Sequence, residues 1–186
     1  MRKITQPVSL RAIRIKNAVA RSATNDYMSD ASGEIPPAQV EVYRTLARNQ
    51  VGLIITGHYF VSSPLGQAKV GQSAGYDDRF LPGLCAVAQA GKEDGARIVA
   101  QISHAGAKSR VGETPVAPSA VSAGDGIVPR PLTKEEIRQI ETDFVEAAVR
   151  MKRAGFDGVQ LHCAHSYLLS QFLDPVYNRR SDEYGG

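Results

Sequence analysis

Three side chains near the end of the sequence, His162, His165 and Tyr167, have the types and spacing of a reaction site. Two imidazoles three residues apart could serve either of two chemistries. They could be part of a metal-ligand set, which requires a third ligand and outer partners to orient it. They could instead aim two N–H donors at one oxygen and stabilise the negative charge that develops there. A phenol two residues further on is suited to delivering the proton such a reaction then needs. The second reading uses only residues at hand, so no metal is expected. Further polar groups recur upstream: Thr24, the run Thr56-Gly57-His58, and Gln101 through His104. Of the two cysteines, Cys163 points away from the site if His162 ends a strand. Cys85 falls beside Leu84 on a helix face and is expected in the core.

The elements that must position these groups alternate along the chain. Apolar runs at 18–24, 51–56, 96–102 and 156–162 read as strands, the β-branched Val51-Gly52-Leu53-Ile54-Ile55-Thr56 being of the type buried on both faces of a parallel sheet. Between them, 36–49 and 79–93 carry apolar residues at three- and four-residue spacing, as helices do. A loop spans 105–132, and Thr133-Lys134-Glu135-Glu136 then has the form of a capping box opening a helix that stops near Gly155. Strands alternating with helices imply a parallel sheet with helices packed back onto it. A doubly wound open sheet and a (β/α)₈ TIM barrel both satisfy that rule. Neither G-x-G-x-x-G nor G-x-x-x-x-G-K-[ST] is present, so the nucleotide-binding open sheets lack their usual signature. Every strand is followed at its C-terminal end by groups capable of chemistry, which is where barrels place their sites. The barrel is favoured.

Composition narrows the partners. Of 186 residues, 42% are hydrophobic and 22% charged, enough apolar material for a single-domain core. The net charge of +3 is spread without a basic run, so neither nucleic acid nor an anionic membrane is an expected partner. No apolar stretch approaches the roughly 20 residues of a membrane span. The start, Met1 to Pro7, has no apolar stretch after its positive charges, so a signal peptide is not expected. Two distant cysteines in unlike contexts fit a reducing cytoplasm rather than a disulfide framework.

The segment from Phe156 to Gly186 closely resembles the signature of the Old Yellow Enzyme family of NADH:flavin oxidoreductases. It has a strand ending in H-x-x-H-x-Y, then Leu168-Leu169-Ser170-Gln171-Phe172-Leu173, then Asn178-Arg179-Arg180-Ser181-Asp182-Glu183-Tyr184-Gly185-Gly186. Lys16-Asn17 leading to Arg21-Ser22-Ala23-Thr24, the run 51–56, and Gln101-Ile102-Ser103-His104-Ala105-Gly106 resemble the family's first three strand ends, in order. The resemblance implies an FMN-dependent enzyme of the ene-reductase type. Hydride from NADH or NADPH would pass through FMN to a small molecule with an electron-poor C=C, such as an enone or dienoyl thioester. By the same resemblance, the backbone of Ser22, Ala23 and Thr24 lies along the flavin, with the Thr24 hydroxyl near its C4 carbonyl. Gln101 meets the pyrimidine end. Gly57 and His58 stand where the family has Glu and a small residue whose amide meets the flavin, so this imidazole is a departure. His162 and His165 clamp the substrate's carbonyl, His162 within reach of the flavin too, and Tyr167 supplies the proton.

A complete barrel of this type needs eight strands and about 250 residues. The 186 residues are therefore expected to form the first four βα units, the N-terminal part of one FMN-binding domain. The phosphate-binding loops would lie in the other half. Open edges at the first and fourth strands invite self-association. The alternative is a self-associating half-barrel without catalytic activity.

Overall fold

A computed structural model describes residues 3–10, 13–112 and 114–185. Met1, Arg2 and Gly186, the last residue of the signature, lie outside them. In chain order the strands and α-helices are β1 (Val8–Leu10), β2 (Ile13–Ile15), β3 (Ala20–Arg21), α1 (Pro37–Arg48), β4 (Leu53–Ile55), β5 (Tyr59–Phe60), α2 (Leu81–Ala90), β6 (Arg97–Ser103), β7 (Val116–Ala117), β8 (Arg130–Pro131), α3 (Lys134–Ala154), β9 (Gly158–Leu161) and α4 (Leu168–Leu173). β3, β4, β6 and β9 pair in parallel in that order, and β5 continues beyond β4 against the end of β6. The protein is thus α/β with a parallel sheet. The four expected strands are its main strands, each shorter than its apolar run except β6. Among the described residues, no helix is long and apolar enough to cross a membrane.

Local chemistry explains the helix bounds. Thr133 accepts a hydrogen bond from the Glu136 N–H at 3.2 Å, and the Glu136 carboxylate accepts one from Thr133 N–H at 2.8 Å. That is the capping box read in the sequence, and Gly155, at φ 95°, takes the left-handed position that ends α3. The helix expected over 79–93 is split. A 3₁₀ turn, Asp78–Phe80, precedes α2, whose first turn carries a proline, and the chain leaves α2 at Gly91. A Cβ on Gly91 would sit 2.3 Å from Ile98 Cδ1, so α2 approaches the sheet closely here and a larger residue would have to displace the Ile98 side chain.

The core lies between sheet and helices. Ile54, Leu84, Val87, Ile98, Ala100, Ile102, Ala147 and Met151 are all fully buried. Burying a large aliphatic side chain contributes about 1.5–3 kcal/mol, so this layer dominates the stability of the sheet. Cys85 does not join it: the expectation of a core cysteine is corrected, since α2 buries Leu84, Val87 and Ala88 and leaves Cys85 exposed. Cys163 is exposed as well, beside an apolar groove on the side of β9 away from His162. The sequence signals also missed the antiparallel hairpin β1–β2, the short helix α4, and the β7–β8 pair within the long loop.

Candidate active site

The four strand ends meet a cavity of about 350 Å³, lined by Ala23, Asn25, Tyr27, His58, Gln101, Lys108, His162, His165 and Tyr167. His162 follows directly on β9, its N–H donating to Ile102 O at 3.0 Å, so the sheet ladder itself fixes where the imidazole stands. His165 is presented differently. His165 and Ser166 have φ of 57° and 56°, a left-handed pair that non-glycine residues rarely adopt. The turn is held by hydrogen bonds from Tyr167 N to Ala164 O (3.1 Å), Leu168 N to His104 O (3.0 Å) and the Gln171 amide to Ser166 O. Gln171 is fully buried and also accepts from Ala107 N–H. A strained turn locked by a buried amide is what brings the second imidazole round to face the first.

His165 Nδ1 lies 3.4 Å from His162 Nε2, with the ring centroids 5.1 Å apart. The Tyr167 ring packs 4.7 Å from His162. His58 closes the group, at 5.2 Å from both His162 and Tyr167. Burial, with the neighbouring His165, pushes the His162 pKa down to about 4. Burial, then His162 and His165, pushes that of His58 down to about 3. Both are therefore neutral near pH 7, each with one N–H donor. Burial, and then Tyr27, pushes the Tyr167 phenol up to about 12, which keeps its proton in place.

His58 Nδ1 lies 2.8 Å from both the Gln72 side-chain amide and Ser103 Oγ, and its Nε2 lies 3.2 Å from the Asn25 side-chain amide. Gln72 is itself oriented by Ala68 N–H, which donates to its Oε1 at 2.7 Å. His104, by contrast, is buried and accepts from Gly106 N–H, a loop support outside the cavity.

Of the residues singled out in the sequence, Ala23, His58, Gln101, His162, His165 and Tyr167 line this cavity. Ser22, Thr24 and Gly57 do not. The Thr24 hydroxyl hydrogen-bonds the Arg21 guanidinium and faces a small crevice shared with Asp26, Tyr43 and Gly57. The Gly57 N–H donates to the Tyr43 hydroxyl at 3.1 Å. Asn25, Tyr27 and Lys108 line the cavity as well. An Asx turn, Tyr27 N–H to Asn25 Oδ1 at 3.2 Å, is what turns this loop inward. Its only trace in the sequence is an Asn two residues before the tyrosine. Among the described residues, no three His, Cys, Asp or Glu side chains form a metal-binding group.

The family model of the NADH:flavin oxidoreductase / NADH oxidase family matches residues 3–186. The chain belongs to that family. It is 42% identical over 185 residues to the NADH oxidase of Thermoanaerobacter brockii, covering 93% of this chain and 28% of that protein. It is 36% identical to the NADPH dehydrogenase of Bacillus licheniformis, over all of this chain and 55% of that one. Among solved structures, Old Yellow Enzyme from Pichia sp. AKU4542 superposes with a TM-score of 0.89 at 28% identity, over 98% of this chain and 51% of that chain. The chain thus spans between about a quarter and about half the length of these relatives. FMN and NAD(P)H are the cofactors of this NADH:flavin oxidoreductase family.

The cavity's chemistry fits a flavin ring. Gln101 and Gln160 stand in register on β6 and β9, joined at 2.7 Å through Gln101 Nε2 and Gln160 Oε1. Gln101 thereby keeps its amide oxygen as an acceptor, and with Asn25 gives the donors and acceptors that an imide edge needs. Ala23 leaves room on one wall, and the volume is within the range of ligand sites.

Proposed function

We propose that the protein is an FMN-dependent ene-reductase that uses NAD(P)H to reduce an electron-poor C=C, and that its four βα units are the first half of a (β/α)₈ barrel. One observation carries the reading: two imidazoles, 3.4 Å apart, and a protonated phenol border the same cavity at the strand ends. Gln101, Ala23 and Asn25, with the backbone of Ser22 through Thr24 and the amide of His58, would hold FMN. Bound and reduced, FMN supplies the hydride.

The chain's own residues do the rest. His162 and His165 donate to the acceptor's carbonyl oxygen, and these bonds strengthen as that oxygen gains charge. The neutral His162 imidazole suits this role, since donating a hydrogen bond leaves its own protonation unchanged. Tyr167 delivers its proton to the carbon next to the carbonyl, which balances the charge brought in. The test is anaerobic stopped-flow kinetics with FMN: reduction by NAD(P)H, then reoxidation by 2-cyclohexenone. Reoxidation by the enone supports the reading, and reduction without it removes the ene-reductase assignment.

Self-association belongs to the same reading. The edge strands β3 and β9 each have one parallel neighbour in the sheet among the described residues, so each leaves backbone groups to pair. Sedimentation velocity at micromolar concentration checks it, and a well-folded monomer would count against it.

A further inference from the structure

A second cavity, of about 330 Å³, adjoins the first and shares Tyr27, Lys108 and Tyr167 with it. Two loops build its wall, one carrying Lys69 and the other Lys108 and Arg110. Backbone and side-chain bonds stitch these loops together. Ala105 N donates to Gly66 O at 2.9 Å, Arg110 N to Ala68 O at 2.8 Å, and Ser109 Oγ to Gln67 O at 2.7 Å. Ser109 is buried, so the stitch is interior and the cations stand on a fixed frame.

Three cations face this space, and Asp125 is the one carboxylate lining it. Asp125 is ion-paired with Arg110, whose guanidinium also donates to the carbonyls of Ala107 and Ser109. Lys69 and Lys108 have no carboxylate within ion-pair distance among the described residues. The Lys69 ammonium sits over the Tyr27 ring, 3.8 Å from its centroid. Lys108 is half-buried on the boundary between the two cavities. A half-buried ammonium without a counter-ion, standing beside a ligand cavity, is arranged for an anion that arrives with the ligand.

We propose that this second cavity binds a carboxylate or phosphate carried by the acceptor itself, so that the preferred substrate is a carbonyl-activated alkene with an anionic group on a short arm. The proposal rests on the ene-reductase reading for the identity of the acceptor. The shared boundary supports it, because Tyr167 and Lys108 face both cavities and one molecule can reach both. The same anionic chemistry is available on the nicotinamide coenzyme, and the experiment separates the two sources.

The probes are a cyclohexenone bearing a carboxymethyl arm and the methyl ester of that compound, alike in carbonyl and C=C. Calorimetry gives their dissociation constants with the FMN-loaded protein and with Lys108→Met, Lys108→Arg and Lys69→Met. The acid is expected to bind about tenfold more tightly than the ester, as one charge-assisted contact allows, with the preference shrinking in high salt. Lys108→Met should bring the acid-to-ester ratio close to one, Lys69→Met should reduce it less, and Lys108→Arg should keep most of it. If Lys108→Met does not fold, the salt dependence and Lys69→Met carry the test. A ratio unchanged in both methionine variants overturns the proposal. So does a loss confined to the KM for NAD(P)H, which assigns the cations to the coenzyme. Acid preference intact with neither compound reduced would instead overturn the ene-reductase reading and leave the anion site standing.

Discussion

β6 and β9 lie side by side in register, each with apolar residues on its outer face and a glutamine on its inner face, yet their outer faces fare differently. Ile98, Ala100 and Ile102 of β6 are fully buried, whereas Val159 and Leu161 of β9 are 39% and 53% exposed. Residue type does not separate them. Beneath β6 lie α2 and α3, which bring Leu84, Val87, Ala147 and Met151 against it. β9 instead borders an apolar groove lined by Ile140, Phe144, Leu168 and Phe172, among others. The residue that follows the same strand is nonetheless buried, His162 being only 6% exposed. The contacts that hold the site come from the turn after β9 and from Gln171.

The largest expected effect tests the outer faces. Ile98→Ala should lower unfolding stability by about 2–5 kcal/mol, the range for truncating a closed core position. Leu161→Ala, half exposed, should cost less than about 1 kcal/mol. Urea denaturation of both variants checks this, and equal losses would break the contrast.

Next in size is the separation of site from core. His162→Ala should slow enone reoxidation about a hundredfold, on the order of 3 kcal/mol, while reduction by NAD(P)H falls less. Tyr167→Phe should slow enone reoxidation more than reoxidation by oxygen, which needs no proton on carbon. Stopped-flow traces for both half-reactions decide, and a loss equal in the two would take the imidazole or phenol out of its role.

The buried imidazoles add a pH dependence. The folded pKa values of His162, about 4, and His58, about 3, lie below the ordinary value of 6.5. The unfolded chain therefore binds more protons as pH falls below 6.5, and the stability these groups contribute is present above that value. It should be lost progressively from pH 6.5 down to about 4 for His162 and about 3 for His58. Denaturation midpoints across this range check it. Replacing His58 by Gln should flatten part of the slope, and an unchanged slope would mean that His58 is not held neutral.

The smallest effect concerns the helix that flanks both faces. Thr133→Ala removes the hydroxyl of the capping box and should cost about 1 kcal/mol, leaving the ratio of acid and ester binding untouched. Thermal denaturation measures it.

Much of this was legible in the sequence because the signals are short-ranged. The β-branched run around Ile54, the capping box at Thr133 and the stop at Gly155 each depend on residues within a few positions. The spacing of His162, His165 and Tyr167 likewise singled out three residues that line one cavity. Helix α4 was hidden by its six-residue length, too short for periodicity to show. Cys85 was misread because apolar neighbours along the chain do not say which face of α2 turns inward.

Where side chains in loops point is settled in three dimensions. Asn25 rather than Thr24 enters the cavity because its partner, His58, is 33 residues away in the chain. His58 is held among Gln72, Ser103 and Asn25, which come from three separate segments. Lys69 and Lys108 share a cavity because Ser109 and Arg110 bond the loop that holds Lys69. The parallel α/β order and the spacing of the histidine pair can be read along the chain, since backbone hydrogen bonding and side-chain alternation are local rules. The rest waited on contacts between distant segments, which fix a side chain's direction only once the sheet has brought those segments together.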